Sequence, residues 1–188
     1  MTNSLVLAGL LLLLLVLAGV AALGLTTLFL VPVIMTPHDV VDEILDVMRL
    51  SQGDRILDLG AGDGRLLVQA RKRIKVRAVG YEISPLVVVY AKLYKFFHIP
   101  LKRGVSIEAG NFLSADFSDF DHIYAHLNTR ALRPVYAKLV REMHPDARFY
   151  SYNVQLPHAQ PSEVYPLSNG KKLYVYGRRG LVGDAQMK

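Results

Sequence analysis

The sequence predicts an α/β protein built on a doubly wound, seven-stranded, mostly parallel sheet, with a C-terminal antiparallel hairpin and one preceding N-terminal transmembrane helix. Three observations support this prediction. Short apolar runs alternate with amphipathic segments of helical periodicity between residues 38 and 152, the pattern of a parallel sheet covered by helices. A glycine-rich turn at residues 60–64 directly follows the first apolar run, and residues 5–31 carry no charged side chain.

The uncharged segment is long enough to cross a lipid bilayer. As a helix rising ~1.5 Å per residue it exceeds the roughly 30 Å of a hydrocarbon core. A cleaved secretory signal peptide is the alternative, but signals usually begin with cations and have a shorter apolar stretch, whereas residues 1–4 contain no Lys or Arg. We therefore predict a transmembrane anchor at residues 1–32, an α/β domain at residues 33–180 and a frayed tail at residues 181–188.

The amino-acid composition excludes some kinds of active site and ranks the possible binding partners. The chain contains no cysteine, which excludes disulfides, thiol catalysis and zinc-thiolate sites and fits a reducing compartment. The net charge is +6, with a basic cluster at residues 71–77. The first interpretation of this cluster is a solvated helix end whose cations complement the helix dipole, and the second is attraction to anionic lipid headgroups. Nucleic-acid binding ranks third and is not predicted, because no aromatic stacking pattern accompanies the cations.

Three amphipathic helices are predicted from their caps and apolar faces. Thr36 is expected to cap the first, with Pro37 at its first helical position, and Ser84-Pro85 starts the second in the same way. Asn128-Thr129 caps the third. The predicted inner faces are Val40, Val41, Ile44, Leu45 and Met48 in the first helix, Leu86, Val89, Tyr90, Leu93 and Phe97 in the second, and Leu132, Val135, Tyr136, Leu139 and Val140 in the third.

The stretch from residue 55 to residue 82 predicts half of a nucleotide-type cofactor site. Ile56–Leu59 is short and apolar enough for a buried parallel strand, and the turn Gly60-Ala61-Gly62-Asp63-Gly64 lets a ligand approach the backbone. A helix and a second strand, 76–81, follow. Glu82 lies 22 residues after Gly60, where such folds place an acid against ribose hydroxyls.

Polar and aromatic residues follow the later strands at the edge where an open parallel sheet binds ligands. Asn111 and Phe112 are placed to meet a cofactor base, although Phe112 also fits a buried loop anchor. His126 and Asn128 are two residues apart and are expected to point the same way. The strands concerned are predicted at 105–108, 121–127 and 148–152, with the hairpin at 164–167 and 173–176.

Histidine spacing does not predict a metal site. His122 and His126 are four residues apart on a predicted strand, which does not bring their rings together as a helix would. No carboxylate or third histidine completes a ligand shell in this pattern. We therefore expect no bound metal.

The glycine turn is neither a GxxxxGK phosphate loop nor a GxGxxG turn, because Gly64 follows Gly62 by two residues. Asp58–Gly64 instead resembles the first motif of the class I, seven-strand S-adenosylmethionine-dependent methyltransferases, whose second motif ends in an acid like Glu82. The apolar N-terminal segment, Thr36-Pro37, DLGAGDGR and GYEISPLVV together are similar to membrane-anchored protein lysine methyltransferases of the type acting on adenine nucleotide translocase and on the c-subunit of ATP synthase.

This resemblance implies a Rossmann-like methyltransferase domain at residues 33–180 that binds S-adenosylmethionine and releases S-adenosylhomocysteine. Thr36 and Pro37 would border the cofactor, the turn would wrap its methionine part, Glu82 would hold the ribose, and Asn111 with Phe112 would flank adenine. The full set of implied cofactor contacts is Thr36, Pro37, Asp58, Leu59, Gly60, Ala61, Gly62, Asp63, Gly64, Glu82, Ile83, Asn111, Phe112 and His126.

The resemblance also implies in-line transfer of the sulfonium methyl to a lysine amine of a protein substrate. His126, Asn128 and Tyr152 are the predicted catalytic residues that line and orient that amine. The Asn/Asp-Pro-Pro-Tyr stretch of enzymes that methylate the amino groups of bases is absent, since residues 128–131 read Asn-Thr-Arg-Ala. This departure disfavours a base-methylating enzyme.

Two other functions stay open at this point. One is methylation of a small or membrane-soluble acceptor such as a quinone or lipid, and the other is a non-enzymatic cofactor-binding membrane module. For the enzyme we expect a single-pass membrane protein whose catalytic domain faces the cytosol, or the matrix in an organelle, because S-adenosylmethionine is intracellular.

Overall fold

The computed structural model describes residues 2–30, 35–100 and 103–182, with side chains in the first helix described for residues 5–22. The chain divides into two compact units, Met1–Val33 and Ile34–Lys188. The predicted anchor end at residues 31–32 and the predicted tail at 183–188 lie outside the described residues.

The first unit contains a single described helix, α1, at Thr2–Leu30. All side chains from Leu5 to Ala22 are exposed, and this window is long and apolar enough to cross a membrane. A signal sequence meets the same criteria of length and composition. The predicted apolar helix is therefore confirmed as a helix.

The second unit is a seven-stranded sheet with helices on both faces, as predicted. The strand order is β3-β2-β1-β4-β5-β7-β6, in which the first five strands are parallel and β7 runs antiparallel to both β5 and β6. The elements are α2 His38–Met48, β1 Arg55–Leu59, α3 Arg65–Arg73, β2 Arg77–Glu82, α4 Pro85–His98, β3 Val105–Ala109, β4 His122–Ala125, α5 Thr129–Glu142, β5 Arg148–Tyr152, β6 Glu163–Pro166, β7 Lys172–Tyr176 and α6 Arg178–Val182.

Side-chain alternation along β1 divides the core between the two faces of the sheet. Ile56 packs with α2, α3 and α4, whereas Leu57 and Leu59 pack with α5 and α6 on the other face. Leu59 lies opposite Tyr81 of β2 and Ala125 of β4, so the carboxyl ends of these strands meet at one edge. This edge carries the glycine turn.

The buried residues of each helix can be compared with its predicted inner face. The five predicted inner residues of α2 are all buried, and so are Leu132, Val135 and Leu139 of α5. The predicted inner face of α4 is wrong, because Val87, Val88 and Ala91 are the buried residues. This side of α4 packs close to the glycine turn, since a Cβ added to Gly64 would lie 3.9 Å from the Ala91 Cβ. The predicted stripe of α4 instead contains four exposed residues, Val89, Tyr90, Leu93 and Phe97.

Several element boundaries also differ from the predictions by one or a few residues, and three of the differences concern residues named above. The N-cap of α2 is Pro37 and not Thr36, which has a different hydrogen bond, described below. Strand β4 ends at Ala125, so His126 follows the strand and does not belong to it. The frayed tail is predicted from residue 181, whereas Leu181 belongs to α6 and is 2% exposed.

Candidate functional site

The glycine turn is held in a backbone conformation that favours glycine. Gly60, Gly62 and Gly64 have φ angles of 87°, 56° and 75°. The amides of Gly60 and Ala61 both donate to the carbonyl of Tyr81, at 2.9 and 2.8 Å, which folds the turn over the end of β2. A Cβ on Gly64 would lie 3.0 Å from Ile107 Cδ1. The turn therefore presents backbone, with little side chain, to the carboxyl edge of the sheet.

Glu82 is tied to this turn by its buried carboxylate. Its Oε2 accepts from the Gly62 amide at 3.1 Å and its Oε1 accepts from the Ser84 amide at 2.9 Å. The residue is 6% exposed. Because an ionised carboxylate offers about four lone-pair sites, two amide bonds orient Glu82 and leave acceptor capacity for ligand hydroxyls.

Asp58 adds a second buried carboxyl at the end of β1. Burial, together with the negative charges of Glu82 and Asp63, raises its pKa from 3.8 to about 8. A buried carboxylate close to two other negative charges is unfavourable unless it takes up a proton or lies near a positive charge. The site therefore suits a ligand that carries cationic groups as well as hydroxyls.

The raised pKa of Asp58 predicts how stability depends on pH in the ligand-free protein. Between pH 4 and 8 the folded state holds a proton that the unfolded state has lost, so this stabilisation falls as pH rises through the folded pKa of about 8. We expect a slope of at most about 1.4 kcal/mol per pH unit. Thermal unfolding across this range should show the slope in the wild type and lose it in Asp58→Asn. Asp146→Asn, whose parent side chain is 94% exposed, is the control and should keep it.

Arg65 connects the turn to the segment that precedes α2. Its guanidinium forms a salt bridge with Asp63 at 2.6 Å, and its Nη1 donates to the Thr36 carbonyl at 2.9 Å. The Thr36 and Tyr124 hydroxyls are hydrogen-bonded at 2.7 Å. Sequence reasoning missed Arg65 and Tyr124. The available signal for Arg65 was a cation directly after Asp63-Gly64, next to an acid that needs a partner.

The residues predicted to contact a cofactor base lie at the same edge. The Gly110 amide donates to the Glu82 carbonyl at 2.9 Å, which joins the end of β3 to the end of β2. Asn111 is exposed, and its Oδ1 accepts from the Leu113 amide at 2.9 Å. Phe112 is half-buried and Ile83 is 62% exposed. Asn111 thus has a local capping role whether or not it also meets a ligand.

Two of the three predicted catalytic residues are brought together. The His126 and Tyr152 rings meet edge to face with their centroids 4.5 Å apart. The buried Nδ1 of His126 has no hydrogen-bond partner among the described residues, and burial lowers the pKa of this imidazole. Tyr152 is 3% exposed and accepts a hydrogen bond from Asn169 Nδ2 at 2.8 Å. Asn128 is exposed and caps α5 by accepting from the Ala131 amide.

His122 lies away from this edge, at the start of β4. Its ring nitrogens contact Asp54 Oδ2 at 3.0 Å and the Tyr150 hydroxyl at 3.1 Å. Across residues 2–30, 35–100 and 103–182, no group of three or more His, Cys, Asp or Glu side chains is arranged to hold a metal ion.

Comparison with known proteins identifies the ligand class that this arrangement suits. The protein-family model described as the ANTKMT methyltransferase domain matches residues 58–163, which is more than half of the chain. The chain belongs to this methyltransferase family. The matched region begins at Asp58 and includes the glycine turn, Glu82 and the His126–Tyr152 pair.

Relatives and a solved structure agree with this assignment. The methyltransferase is 32% identical to a protein-lysine N-methyltransferase of Saccharolobus islandicus, over 78% of this chain and 94% of that protein. It is 26% identical to the human lysine N-methyltransferase of the ATP synthase c-subunit over 66% of this chain, which spans about half (52%) of the human enzyme. An RNA methyltransferase from Salinibacter ruber, solved with S-adenosyl-L-homocysteine, superposes with a TM-score of 0.72 at 25% identity, covering 77% of this chain and 93% of that one.

The cofactor of the methyltransferase is S-adenosylmethionine. The residues present fit this cofactor in three respects. The three left-handed glycines form a cradle that side chains would fill, and Glu82 keeps acceptor capacity for ribose hydroxyls. The raised pKa of Asp58 suits the positive charge of the cofactor's sulfonium and amino groups.

Proposed function

We propose that this methyltransferase transfers methyl groups to the ε-amino group of lysine in protein substrates. The structural observation that carries the proposal is the half-buried imidazole of His126, which follows the carboxyl end of β4 and meets the ring of Tyr152 edge to face. The names of the Saccharolobus and human relatives support the same acceptor.

A lysine acceptor must lose its proton before it can attack. With a reference pKa of about 10.4, presenting the neutral amine near pH 7.4 costs roughly 4 kcal/mol unless the site lowers that pKa. The bound cofactor supplies an electrophilic methyl on its sulfonium. The contribution of this chain is to orient the amine and accept its hydrogen bond.

His126 is suited to that role because its lowered pKa keeps the imidazole neutral at physiological pH. A neutral imidazole has one nitrogen that accepts a hydrogen bond. Tyr152 adds an aromatic ring, and aromatic rings attract ammonium and methylammonium groups through their faces. Asn128 is retained as a candidate for the same surface, although its Oδ1 already caps α5.

Within the cofactor half we propose that Glu82 holds the ribose and that the Gly60–Gly64 turn, with Asp58, Leu59, Ala61 and Asp63, holds the methionine part. Thr36 and Pro37 border it, whereas Ile83, Asn111 and Phe112 flank the adenine. Support for the turn residues, Glu82, Ile83, Asn111 and Phe112 comes from their shared position at the carboxyl edge of β1, β2 and β3. Support for Thr36 and Pro37 comes from the hydrogen bond that Arg65, next to the turn, donates to the Thr36 carbonyl.

We also propose that residues 1–32 anchor the methyltransferase domain, residues 33–180, in a membrane. The support is the length and uncharged composition of α1. The domain would face the compartment that holds S-adenosylmethionine, which is the cytosol, or the matrix if the protein is organellar. Lysines on membrane-associated proteins are then the accessible substrates.

The acceptor can be tested directly. Purified full-length protein is incubated with methyl-labelled S-adenosylmethionine and separate protein, lipid and RNA fractions. Label on lysine, located by mass spectrometry of tryptic peptides, is the expected result. Label confined to the lipid extract would instead establish a quinone or lipid acceptor, and label confined to RNA would align the chain with its RNA-methylating structural neighbour. Cofactor binding without any transfer would contradict the enzyme assignment.

Replacing His126 by alanine is expected to lower kcat by about 100-fold, the lower end of the range for positioned proton acceptors. The physical reason is the loss of the only acceptor that we assign to the amine. Single-turnover kinetics at saturating S-adenosylmethionine measure the effect. His126→Asn keeps a hydrogen-bonding side chain and should recover part of the rate. The exposed His144 provides the control variant His144→Ala, and a His126→Ala enzyme as fast as this control would refute the role.

A further inference from the structure

Helix α4 exposes a continuous apolar stripe, which we call the α4 face and define as Val89, Tyr90, Leu93, Phe96 and Phe97. These side chains are 56, 53, 52, 60 and 75% exposed, respectively. Their spacing places them on one side of the helix, opposite the buried Val87, Val88 and Ala91. Single exposed apolar residues are ordinary on protein surfaces, but a contiguous patch marks an interaction surface.

The composition of the α4 face matches that of membrane-interface helices. Three of its five residues are aromatic, and the Phe96 and Phe97 rings lie 5.5 Å apart in an edge-to-face arrangement. Tyr90 lies 6.5 Å from Tyr94, so a further ring continues the surface. Aromatic and aliphatic side chains on one face of a helix bury favourably at the boundary between headgroups and acyl chains.

A basic cavity lies at the amino ends of β2 and β3. Its volume is about 450 Å³, and Arg71, Lys75, Arg77 and Arg103 are four of its eight lining residues. None of the eight is acidic. Within the part of the chain that the structure describes, these four cations form no salt bridge with a carboxylate, whereas Arg73 on the same helix pairs with Asp42 and Asp46.

Two hydrogen bonds join helix α4 and the lining of the basic cavity to the chain around the start of β3. Lys95 in the last turn of α4 donates to the Val105 carbonyl at 2.7 Å, at the start of β3. Arg71 donates to the carbonyl of Arg103, two residues earlier, at 2.9 Å. The last turn of α4 and the unpaired cations of the described chain therefore both lie at the amino end of β3.

We propose that the α4 face and the basic cavity together dock the domain on a bilayer surface that contains anionic phospholipid. The apolar side chains enter the interface, and the cations bind lipid phosphates. Three occupants of this surface were compared, namely anionic lipid, a second copy of the chain and α1, and the charge of the four cations favours the lipid. A second copy docked symmetrically would place the same four cations opposite one another. The uncharged α1 would cover the apolar residues but leave the cations unmatched.

This docking is independent of the identity of the methyl acceptor. It does bear on the candidate cofactor site, because α4 begins at Pro85, three residues after Glu82. A domain that docks through α4 holds this edge of the site at a set distance from the lipid surface, in addition to any anchoring by α1.

The absence of cysteine makes the proposal testable with single fluorescent labels. Leu93→Cys and Phe97→Cys report on the α4 face. Ala137→Cys, at an exposed position of α5 on the other side of the sheet, is the matched control. Each full-length variant is labelled with bimane and reconstituted in vesicles of phosphatidylcholine with about one third phosphatidylglycerol. Quenching is then measured with nitroxide-labelled lipid and with aqueous iodide.

We expect lipid nitroxide to quench the labels at 93 and 97 about threefold more strongly than the label at 137, with the reverse order for iodide. Vesicles of phosphatidylcholine alone, or the added charge reversals Lys75→Glu and Arg77→Glu, should abolish most of this difference. Equal iodide access at all three positions in anionic vesicles would overturn the proposal. Shielding that is unchanged in neutral vesicles, or disulfide cross-linking of unlabelled Leu93→Cys, would also overturn it, in favour of α1 or a second copy. No arm requires methyl transfer, so failure here is distinguishable from failure of the proposed function.

Discussion

Replacing Glu82 by alanine is expected to weaken S-adenosylmethionine binding by about 1–3 kcal/mol, or roughly 5- to 150-fold in dissociation constant. The variant loses the carboxylate that we assign to the ribose hydroxyls. It also releases the amides of Gly62 and Ser84, which orient the glycine turn and the start of α4. Isothermal titration calorimetry of the full-length protein measures the effect. Glu82→Gln keeps one acceptor oxygen and should fall between wild type and alanine.

Glu108→Ala is the matched control for this variant. Glu108 is a carboxylate on the neighbouring strand, paired with Tyr81 in the sheet, but it is exposed. Its replacement should leave cofactor affinity unchanged. Thermal melts of both variants separate loss of binding from loss of folding. A folded Glu82→Ala protein with wild-type affinity would remove Glu82 from the cofactor site.

Replacing Arg65 by alanine is expected to lower the free energy of unfolding by about 3 kcal/mol. The salt bridge with Asp63 is nearly dry, with side chains 14% and 2% exposed, so the variant leaves the Asp63 carboxylate buried without its cation. It also frees the Thr36 carbonyl. Urea denaturation monitored by circular dichroism measures the loss. Adding Asp63→Asn in the same chain should recover part of it, because the unpaired charge is then removed.

Arg73→Ala provides the comparison. Arg73 sits on the same helix and bridges Asp42 and Asp46 at 2.8 and 2.6 Å, but those carboxylates are 56% and 72% exposed. Solvent-exposed pairs contribute little, so its loss should cost less than about 1 kcal/mol. Equal destabilisation by the two substitutions would contradict the assignment of Arg65 as a buried link.

Sequence periodicity predicted α2 and α5 correctly because each has a single apolar face, opposite charged residues. It failed for α4 because that helix is apolar on two sides. The larger side chains, such as Tyr90 and Phe97, predicted the wrong side as the core. In the fold the side that carries Val87, Val88 and Ala91 packs against β2, β3 and α3, and this choice depends on elements elsewhere in the chain.

The position of the proposed cofactor half of the site could be predicted from sequence for a similar reason. Its defining features, the glycine turn and Glu82, follow their strands directly, and local spacing places both at one edge of a parallel sheet. The ligand roles of Asn111 and Asn128 were harder to predict from sequence, because both side chains also accept amide hydrogen bonds within their own turns. A capping role and a ligand role produce the same residue type at the same position.

By itself the sequence determined the alternation of strands and helices, the glycine turn with its acid, and the apolar helix that precedes the domain. Only the tertiary structure decided that Thr36 bonds to Tyr124, 88 residues away, and that Arg65 links Asp63 to the Thr36 carbonyl. It also decided that His126 meets Tyr152 and that the larger stripe of α4 faces outward. The physical reason is that turns and periodicity are set by residues close together in the sequence. These contacts form only when segments far apart in the sequence pack against one another.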